Sequence, residues 1–330
     1  MTIIYWQEGV IKPMLKILIM DKIDHSVVEE LKKRGHSVQL STNDSETIYQ
    51  EIQKNEIMIV RSATRVTKRI LDAAAKTGIL KIIIRAGVGV DNIEVDYARK
   101  MGIRVLNTPL ASSASVAELA LAHMFTLARN MIPANLTLRQ GRWNKNECLG
   151  VELSGKILGI IGMGRIGQIL AQKASALGMK IIYCDIATPL GVCDSWQRLP
   201  LADVLRCADF ISLHTSSQEG DRYLIDEEQF RLMKGSSFLI NTARGKLINE
   251  EALLNALEKG VIAGAGIDVY GEEPCHNNAL LQNERVSVTP HIGASTREAQ
   301  TRIGEEIIRM IEEYQDRKNL KNKVGEYGCN

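Results

Sequence analysis

The stretch KILGIIGMGRIG, residues 156–167, narrows the possible folds more than any other part of this sequence. An apolar run of strand length reaches Gly162-Met163-Gly164-Arg165-Ile166-Gly167, and a helix-forming segment begins at once. Such a turn carries the backbone amides of a helix N-terminus to the end of a strand, an arrangement that receives a dinucleotide pyrophosphate. A bare GxGxxG is weak on its own, because glycine-rich turns are common. Here Asp185 closes the next apolar run, 21 positions after Gly164 (185 − 164), where an acid would meet ribose hydroxyls. The bland alternative is a tight turn followed by a surface aspartate. Ile186, Ala187 and Thr188 come next, with no arginine or lysine to meet a 2′-phosphate, so NAD is expected over NADP.

Strand and helix patterns alternate on both sides of this turn, which predicts an α/β fold built on parallel sheets. The first alternation runs from KILIM at Lys16 through HSVQLS, EIMIV and LKIIIR to IRVLN, ending near Asn107, with helices between. Its opening turn, MDKIDHSV, has no glycine and does not offer the same close approach to phosphate. Ser115 with Glu118 predicts a capping box for the apolar helix ELALAHMFTLARNM. The following IPANLTLRQGRWNKNECLG reads as an irregular arm. The second alternation predicts strands KILGIIG, KIIYCD, DFISLH, SSFLINTA, AGAGIDVY and RVSVTP.

Composition closes off several classes. The 330 residues suggest about two domains, and a formal net charge of +2 gives no reason to expect nucleic acid or an anionic membrane as partner. Six cysteines without CxxC spacing argue against a disulfide framework or a zinc site, and no metal is expected. MTIIYWQEGVIKP lacks the pattern of a signal peptide, and no apolar run approaches a membrane span, so a cytoplasmic, reducing location is expected.

In open α/β sheets ligands bind beyond the carboxyl ends of the strands. His214 and Thr215 end one predicted strand; Arg244, Glu273 and His291 follow three others. A histidine there can take or give the proton of a substrate hydroxyl, and a carboxylate paired with it favours imidazolium and fixes its tautomer. An arginine can hold a substrate carboxylate through two N–H donors. Several histidines read more plainly: His123 as a packed helix residue, His25 and His36 as surface or cap residues, and His276 as an exposed loop residue. Arg61 reads equally as a strand-end ion-pair partner or a substrate contact.

NTARG around Arg244, DVYGEEP around Glu273 and PHIGAST around His291 resemble the D-isomer-specific 2-hydroxyacid dehydrogenase family, and the resemblance runs from about Leu15 to about Tyr314. VRSAT, RAGVGVDN, NTP and GASTREAQ are most similar to its branch that oxidises 3-phosphoglycerate with NAD in serine synthesis. The resemblance implies that His291 is the acid–base group, that Glu273 rather than Glu272 pairs with it, and that Arg244 orients the substrate carboxylate. It implies cofactor contacts at Gly162, Gly164, Arg165, Ile166, Gly167 and Asp185, and along later strand ends at His214, Thr215, Thr242, Ala243, Asp268, Gly293 and Ala294. It assigns Arg61, Ser62, Arg85, Ala86, Gly87, Val88, Asn107 and the arm's Lys145 to a 2-hydroxy or 2-oxo acid, phosphorylated in that branch.

The resemblance also implies two Rossmann-like or flavodoxin-like domains, with the NAD-binding domain (111–295) inserted into a substrate-binding domain (1–110 plus 296–330). Domain closure would then exclude water and bring Arg61 and Arg85 to the substrate. The last helix, carrying Ile303, Ile307, Met310, Ile311 and Tyr314, should return to the first domain, opened by a capping box of Ser295 with Glu298. The helix after Ser115 and the arm around Trp143 resemble a homodimer interface. Because the sequence ends at Asn330, no C-terminal regulatory domain or serine feedback through one is expected. Lys145 keeps a positive charge but lacks the arginine fork, which puts the phosphate preference in question. The rivals are a glyoxylate or hydroxypyruvate reductase of the same family, and an NAD-sensing corepressor on the same fold.

Overall fold

A computed structural model of the chain describes residues 14–41, 47–187, 189–216 and 222–326, with side chains to 318. The opening MTIIYWQEGVIKP, Thr188 and Cys329 lie outside the described residues. The chain forms two compact units, residues 1–112 with 296–330, and residues 113–295.

The first unit begins β1 (Lys16–Ile19), α1 (His25–Lys33), β2 (Ser37–Leu40), α2 (Thr47–Glu51), β3 (Ile57–Val60), α3 (Lys68–Ala75), β4 (Ile82–Arg85), α4 (Val95–Lys100) and β5 (Arg104–Asn107). Its five strands are all parallel in the order β2-β1-β3-β4-β5. Because helices cover both faces, the central strands are apolar throughout rather than alternating. All four residues of β3, Ile-Met-Ile-Val, are buried. Leu18, Met58 and Ile83 pack on one face with α2, α3 and α4, whereas Ile17, Ile57 and Ile82 pack on the other.

The second unit contains α5 (Ser113–Ala128), α6 (Met131–Arg139), β6 (Ile157–Ile161), α7 (Arg165–Ala176), β7 (Lys180–Cys184), β8 (Gln197–Arg198), α8 (Leu201–Cys207), β9 (Phe210–Leu213), α9 (Glu227–Leu232), β10 (Phe238–Asn241), α10 (Glu250–Glu258), β11 (Gly264–Ile267), α11 (Asn278–Leu281) and β12 (Val286–Val288). Its seven parallel strands run β12-β11-β10-β9-β6-β7-β8. The order reverses at β6, which pairs with β7 on one side and β9 on the other. That switch point is where a doubly wound sheet leaves a crevice for a ligand. The chain then returns to the first unit as α12 (Arg297–Glu326), whose Ile303, Ile307 and Ile311 bury into the core beneath α1.

The α/β class and both parallel sheets agree with the sequence pattern, but local details differ. Helix α5 starts at Ser113, so Ser115 lies inside its first turn and does not cap it. Glu118 instead pairs with Lys173 of α7 at 2.9 Å. The helix stops at Ala128 because Asn130 turns left-handed (φ 49°) and donates to the Leu149 carbonyl. The arm is not irregular: it holds α6 and a 3-10 turn over Lys145–Cys148. Helix α12 is capped by Thr296, whose hydroxyl accepts the Ala299 N–H, rather than by Ser295. His36 is buried, not at the surface. Among the described residues no helix is long and apolar enough to cross a membrane.

Candidate active site

The glycine turn of the second unit divides its work among three positions. Gly162 has φ +96°, and a Cβ there would stand 2.5 Å from the His214 carbonyl oxygen, so only glycine lets the ends of β6 and β9 come this close. At Gly167 a Cβ would collide with the Gly162 carbonyl at 2.3 Å, which seats α7 directly on the strand. Gly164 has no atom within 4 Å of where its Cβ would be, so the space before the helix N-terminus is open. Asp185, at the end of β7, ties this turn down: its carboxylate accepts the Met163 N–H at 2.7 Å and the Ala187 N–H at 2.9 Å. Arg165 and Ile166 form the first helical turn of α7.

The later strand ends line the same edge of this sheet. His214 follows β9; its Nε2 meets Ser212 Oγ at 2.8 Å, and burial pushes its pKa down to about 4. The His214 Nδ1 and the Thr242 hydroxyl are buried without a hydrogen-bond partner. Thr215 follows His214, and Thr242 and Ala243 follow β10. Asn241 shapes the next turn, its amide donating to the Arg244 carbonyl and its oxygen accepting the Ala243 N–H. Gly245 allows a very close approach: a Cβ would sit 1.9 Å from the Tyr270 carbonyl carbon and oxygen. The Arg244 turn is thereby pressed against the loop that carries Glu273.

Glu273 and His291 meet. Nδ1 of His291 lies 2.7 Å from Oε2 of Glu273, and Oε1 accepts the Tyr270 N–H at 3.2 Å. Glu272, the other acid of the motif, does not make this bond. Partial burial is the largest single influence on Glu273 and raises its pKa. The hydrogen bond and charge of His291, the Tyr270 N–H and the Arg244 charge together outweigh it, so the carboxyl sits below its usual range. His291 itself stands in a left-handed turn (φ 52°), uncommon for a residue with a side chain. Asp268, fully buried at the end of β11, holds that turn. Its backbone carbonyl accepts the His291 N–H, and its carboxylate accepts the N–H groups of Ile292 (2.8 Å) and Gly293 (2.9 Å). Ala294 continues the same turn.

In the first unit the structure brings Arg61, Ser62, Arg85, Ala86, Gly87, Val88 and Asn107 to the carboxyl edge of the five-stranded sheet. The Asn107 amide donates to the Val88 carbonyl, and Arg61 donates to the Lys22 carbonyl at 3.2 Å. Lys145 belongs to the second unit, where it lines a cavity of about 710 Å³ with Arg129, Arg142, Trp143 and Glu152.

Two contributors escaped the sequence reading, and a third, His123, is packed in its helix as expected but also makes long-range bonds. Arg198 lies on the two-residue strand β8, too short to predict, and donates to the Asp185 carbonyl at 2.8 Å. Asp21 gathers the backbone of the Arg61 turn. His123 reaches Ser287 and Thr289, 164 and 166 residues away. No local signal marks such long-range partners.

Residues 121–293 match the family described as D-isomer specific 2-hydroxyacid dehydrogenase, NAD binding domain. The chain belongs to this family. It is 42% identical over 295 residues to D-3-phosphoglycerate dehydrogenase of Sus scrofa, covering 88% of this chain and 55% of the relative. It is also 42% identical over 300 residues to hydroxypyruvate reductase of Thermotoga maritima, covering 86% and 96%. The chain thus spans about half the length of the first relative and nearly all of the second. D-lactate dehydrogenase of Aquifex aeolicus, solved with NAD and lactic acid, superposes with a TM-score of 0.82 at 28% identity, covering 94% of this chain and 98% of that one.

As a member of the D-2-hydroxyacid dehydrogenases the chain uses NAD, and its second unit fits that group. The open space at Gly164, the acid at the tip of β7, and the unpartnered Thr242 hydroxyl and His214 nitrogen are the features a bound dinucleotide would use.

Proposed function

We propose that this chain catalyses the NAD-dependent interconversion of 3-phosphoglycerate and 3-phosphohydroxypyruvate. The observation that carries the reaction type is the 2.7 Å bond between His291 Nδ1 and Glu273 Oε2, on the sheet edge that also bears Arg244. NAD supplies the acceptor for the hydride leaving C2. Glu273 occupies Nδ1, so Nε2 is the ring nitrogen that takes the hydroxyl proton in oxidation and returns it in reduction. The carboxylate offsets the charge that the imidazole then gains. Arg244 binds the substrate carboxylate with paired N–H donors and so presents C2 in one orientation. Gly162 to Gly167, Asp185, and the strand ends from His214 to Ala294 are the residues that would hold the cofactor. Arg61 and Arg85 on the first unit's sheet edge are cations that suit a phosphate, as is Lys145 in the second unit.

A second reading, hydroxypyruvate reduction, is favoured by the near-complete coverage of the Thermotoga relative. Initial rates with NADH and phosphohydroxypyruvate, hydroxypyruvate or glyoxylate separate the two. The expected result is the highest kcat/KM on phosphohydroxypyruvate; a higher value on hydroxypyruvate would replace that substrate assignment. Binding of NADH with no turnover on any of the three would point to a binding protein on this fold.

We assign the arm to a homodimer interface. Helix α6 buries none of its residues, and Leu136, Leu138, Trp143 and Leu149 are 53%, 56%, 82% and 89% exposed. An apolar surface of that kind is the usual mark of a partner. Sedimentation should give a dimer, and W143E should shift it toward monomer. The five described cysteines, all free thiols, suit a reducing cytoplasm.

A further inference from the structure

The imidazole of His123 is buried in α5, with its Nδ1 2.9 Å from Ser287 Oγ and its Nε2 3.1 Å from Thr289 Oγ1. The sheet makes room for this ring at Gly266 of β11, where a Cβ would stand 2.7 Å from His123 Cβ and 2.9 Å from Cγ. The direction of each hydrogen bond follows from its neighbours. Thr289 Oγ1 donates its single proton to Asp268 Oδ1 at 2.6 Å, since a carboxylate oxygen only accepts. Thr289 Oγ1 must therefore accept from His123 Nε2–H, and Nδ1 must accept from the Ser287 hydroxyl. Burial lowers the His123 pKa against a smaller opposing pull from Asp268, in keeping with this neutral tautomer.

Thr289 anchors both halves of the His291–Glu273 pair. On one side its hydroxyl fixes Asp268, whose carbonyl and carboxylate hold the left-handed turn at His291, and its own carbonyl accepts the His291 N–H at 3.1 Å. On the other side the Thr289 carbonyl accepts the Tyr270 hydroxyl at 2.9 Å, and the Tyr270 N–H holds Glu273. Burial raises the Tyr270 pKa to about 12, so this hydroxyl keeps the proton it donates.

We propose that His123 is a positioning residue for the acid–base pair: its Nε2–H holds Thr289, and through Thr289 it sets the spacing of His291 and Glu273. The inference rests on the reading of His291 as the acid–base group, and its test separates the two. The variants are H123Q, whose amide nitrogen can stand where Nε2 stands; H123N, whose shorter amide reaches only the Nδ1 position; and H123L, which has no donor. H123N and H123L should lower kcat about tenfold with substrate KM within about twofold, because misplaced reacting groups cost rate more than binding. H123Q should restore kcat to within about threefold of wild type, since it returns the donor to Thr289. T289V should lower kcat to the same degree, and combining it with H123L should add little, as for two residues acting as one unit.

The 15N shifts of the His291 ring, which report its bond to Glu273, should change in H123N and H123L but not in H123Q. The Asn and Gln variants carry the same polarity into the core, so a merely structural role would affect both alike. Equal kcat in H123Q and H123N, with His291 ring shifts as in wild type, would overturn the proposal. If H291A keeps wild-type turnover, the functional reading fails instead, and the ring shifts alone decide whether His123 positions His291.

Discussion

The two parallel sheets are built alike, yet their first strand-to-helix turns do opposite things. In the first unit the turn between β1 and α1 spans residues 20–24 and carries Asp21, which is nearly buried. Its carboxylate accepts the Thr64 hydroxyl at 2.7 Å and the N–H groups of Arg61 and Thr64. That crevice is filled by the protein's own acid. In the second unit the turn is shortened to residues 162–164, and Gly164 leaves the helix N-terminus open. One architecture therefore gives a self-satisfied edge or a ligand site, depending on whether a side chain or space stands at the first turn.

The largest test of this contrast is at the His291–Glu273 pair of the open sheet. H291A should lower turnover by roughly 10²–10⁴-fold, the usual worth of a positioned general base, with NADH affinity little changed. Wild-type turnover would remove His291 from the mechanism. G245A comes next. Its Cβ would overlap the Tyr270 carbonyl and push the Arg244 turn away from the Glu273 loop, so kcat/KM should fall by up to about 10²-fold with the far-ultraviolet spectrum retained. An active G245A enzyme would mean that the close approach is incidental.

Smaller effects distinguish the two first turns directly. G164A adds a Cβ that meets no protein atom, so the fold should be unaffected while NADH affinity drops about tenfold, or about 1.4 kcal/mol. Fluorescence titration that finds unaltered affinity would show that this opening is not the pyrophosphate site. D21A should do the reverse, costing about 1–3 kcal/mol of stability by leaving the Thr64 and Arg61 donors unpaired. NADH affinity of the folded protein should be unchanged, and denaturant titration gives both midpoints.

The smallest effect is on pH dependence. Burial holds His214 in the folded protein at a pKa of about 4, below the ordinary 6.5. Unfolding thus takes up a proton between these values, so the stability contributed above pH 6.5 declines as pH falls toward 4. Between pH 7 and pH 5.5 the loss should be about 1 kcal/mol from this group. H214N should flatten that part of the profile; an identical slope would assign it elsewhere.

Much of the fold was open to reading because its signals are local. Each long apolar run became a strand because helices cover both sheet faces, and Gly162 and Gly164 marked the open turn by spacing alone. The misses have equally physical causes. Ser115 and Ser295 have the chemistry of caps, but α5 has already begun at Ser113 and Thr296 caps α12, because packing of the whole helix chose where each helix begins. The arm lacks buried residues within one chain, so α6 had no core-facing stripe to betray it.

The sequence by itself determined the α/β class, the glycine turn with Asp185, and the order Arg244, Glu273, His291 at successive strand ends, because strand period and turn chemistry act over a few residues. Tertiary structure alone decided that Gly245 seats the Arg244 turn against the loop that carries Glu273, and that Asp21 closes one sheet while the other stays open. It also joined His123 to Thr289 across 166 residues. Contacts of that kind depend on strand order and on which helix lies over which glycine, and no stretch of neighbouring residues encodes either.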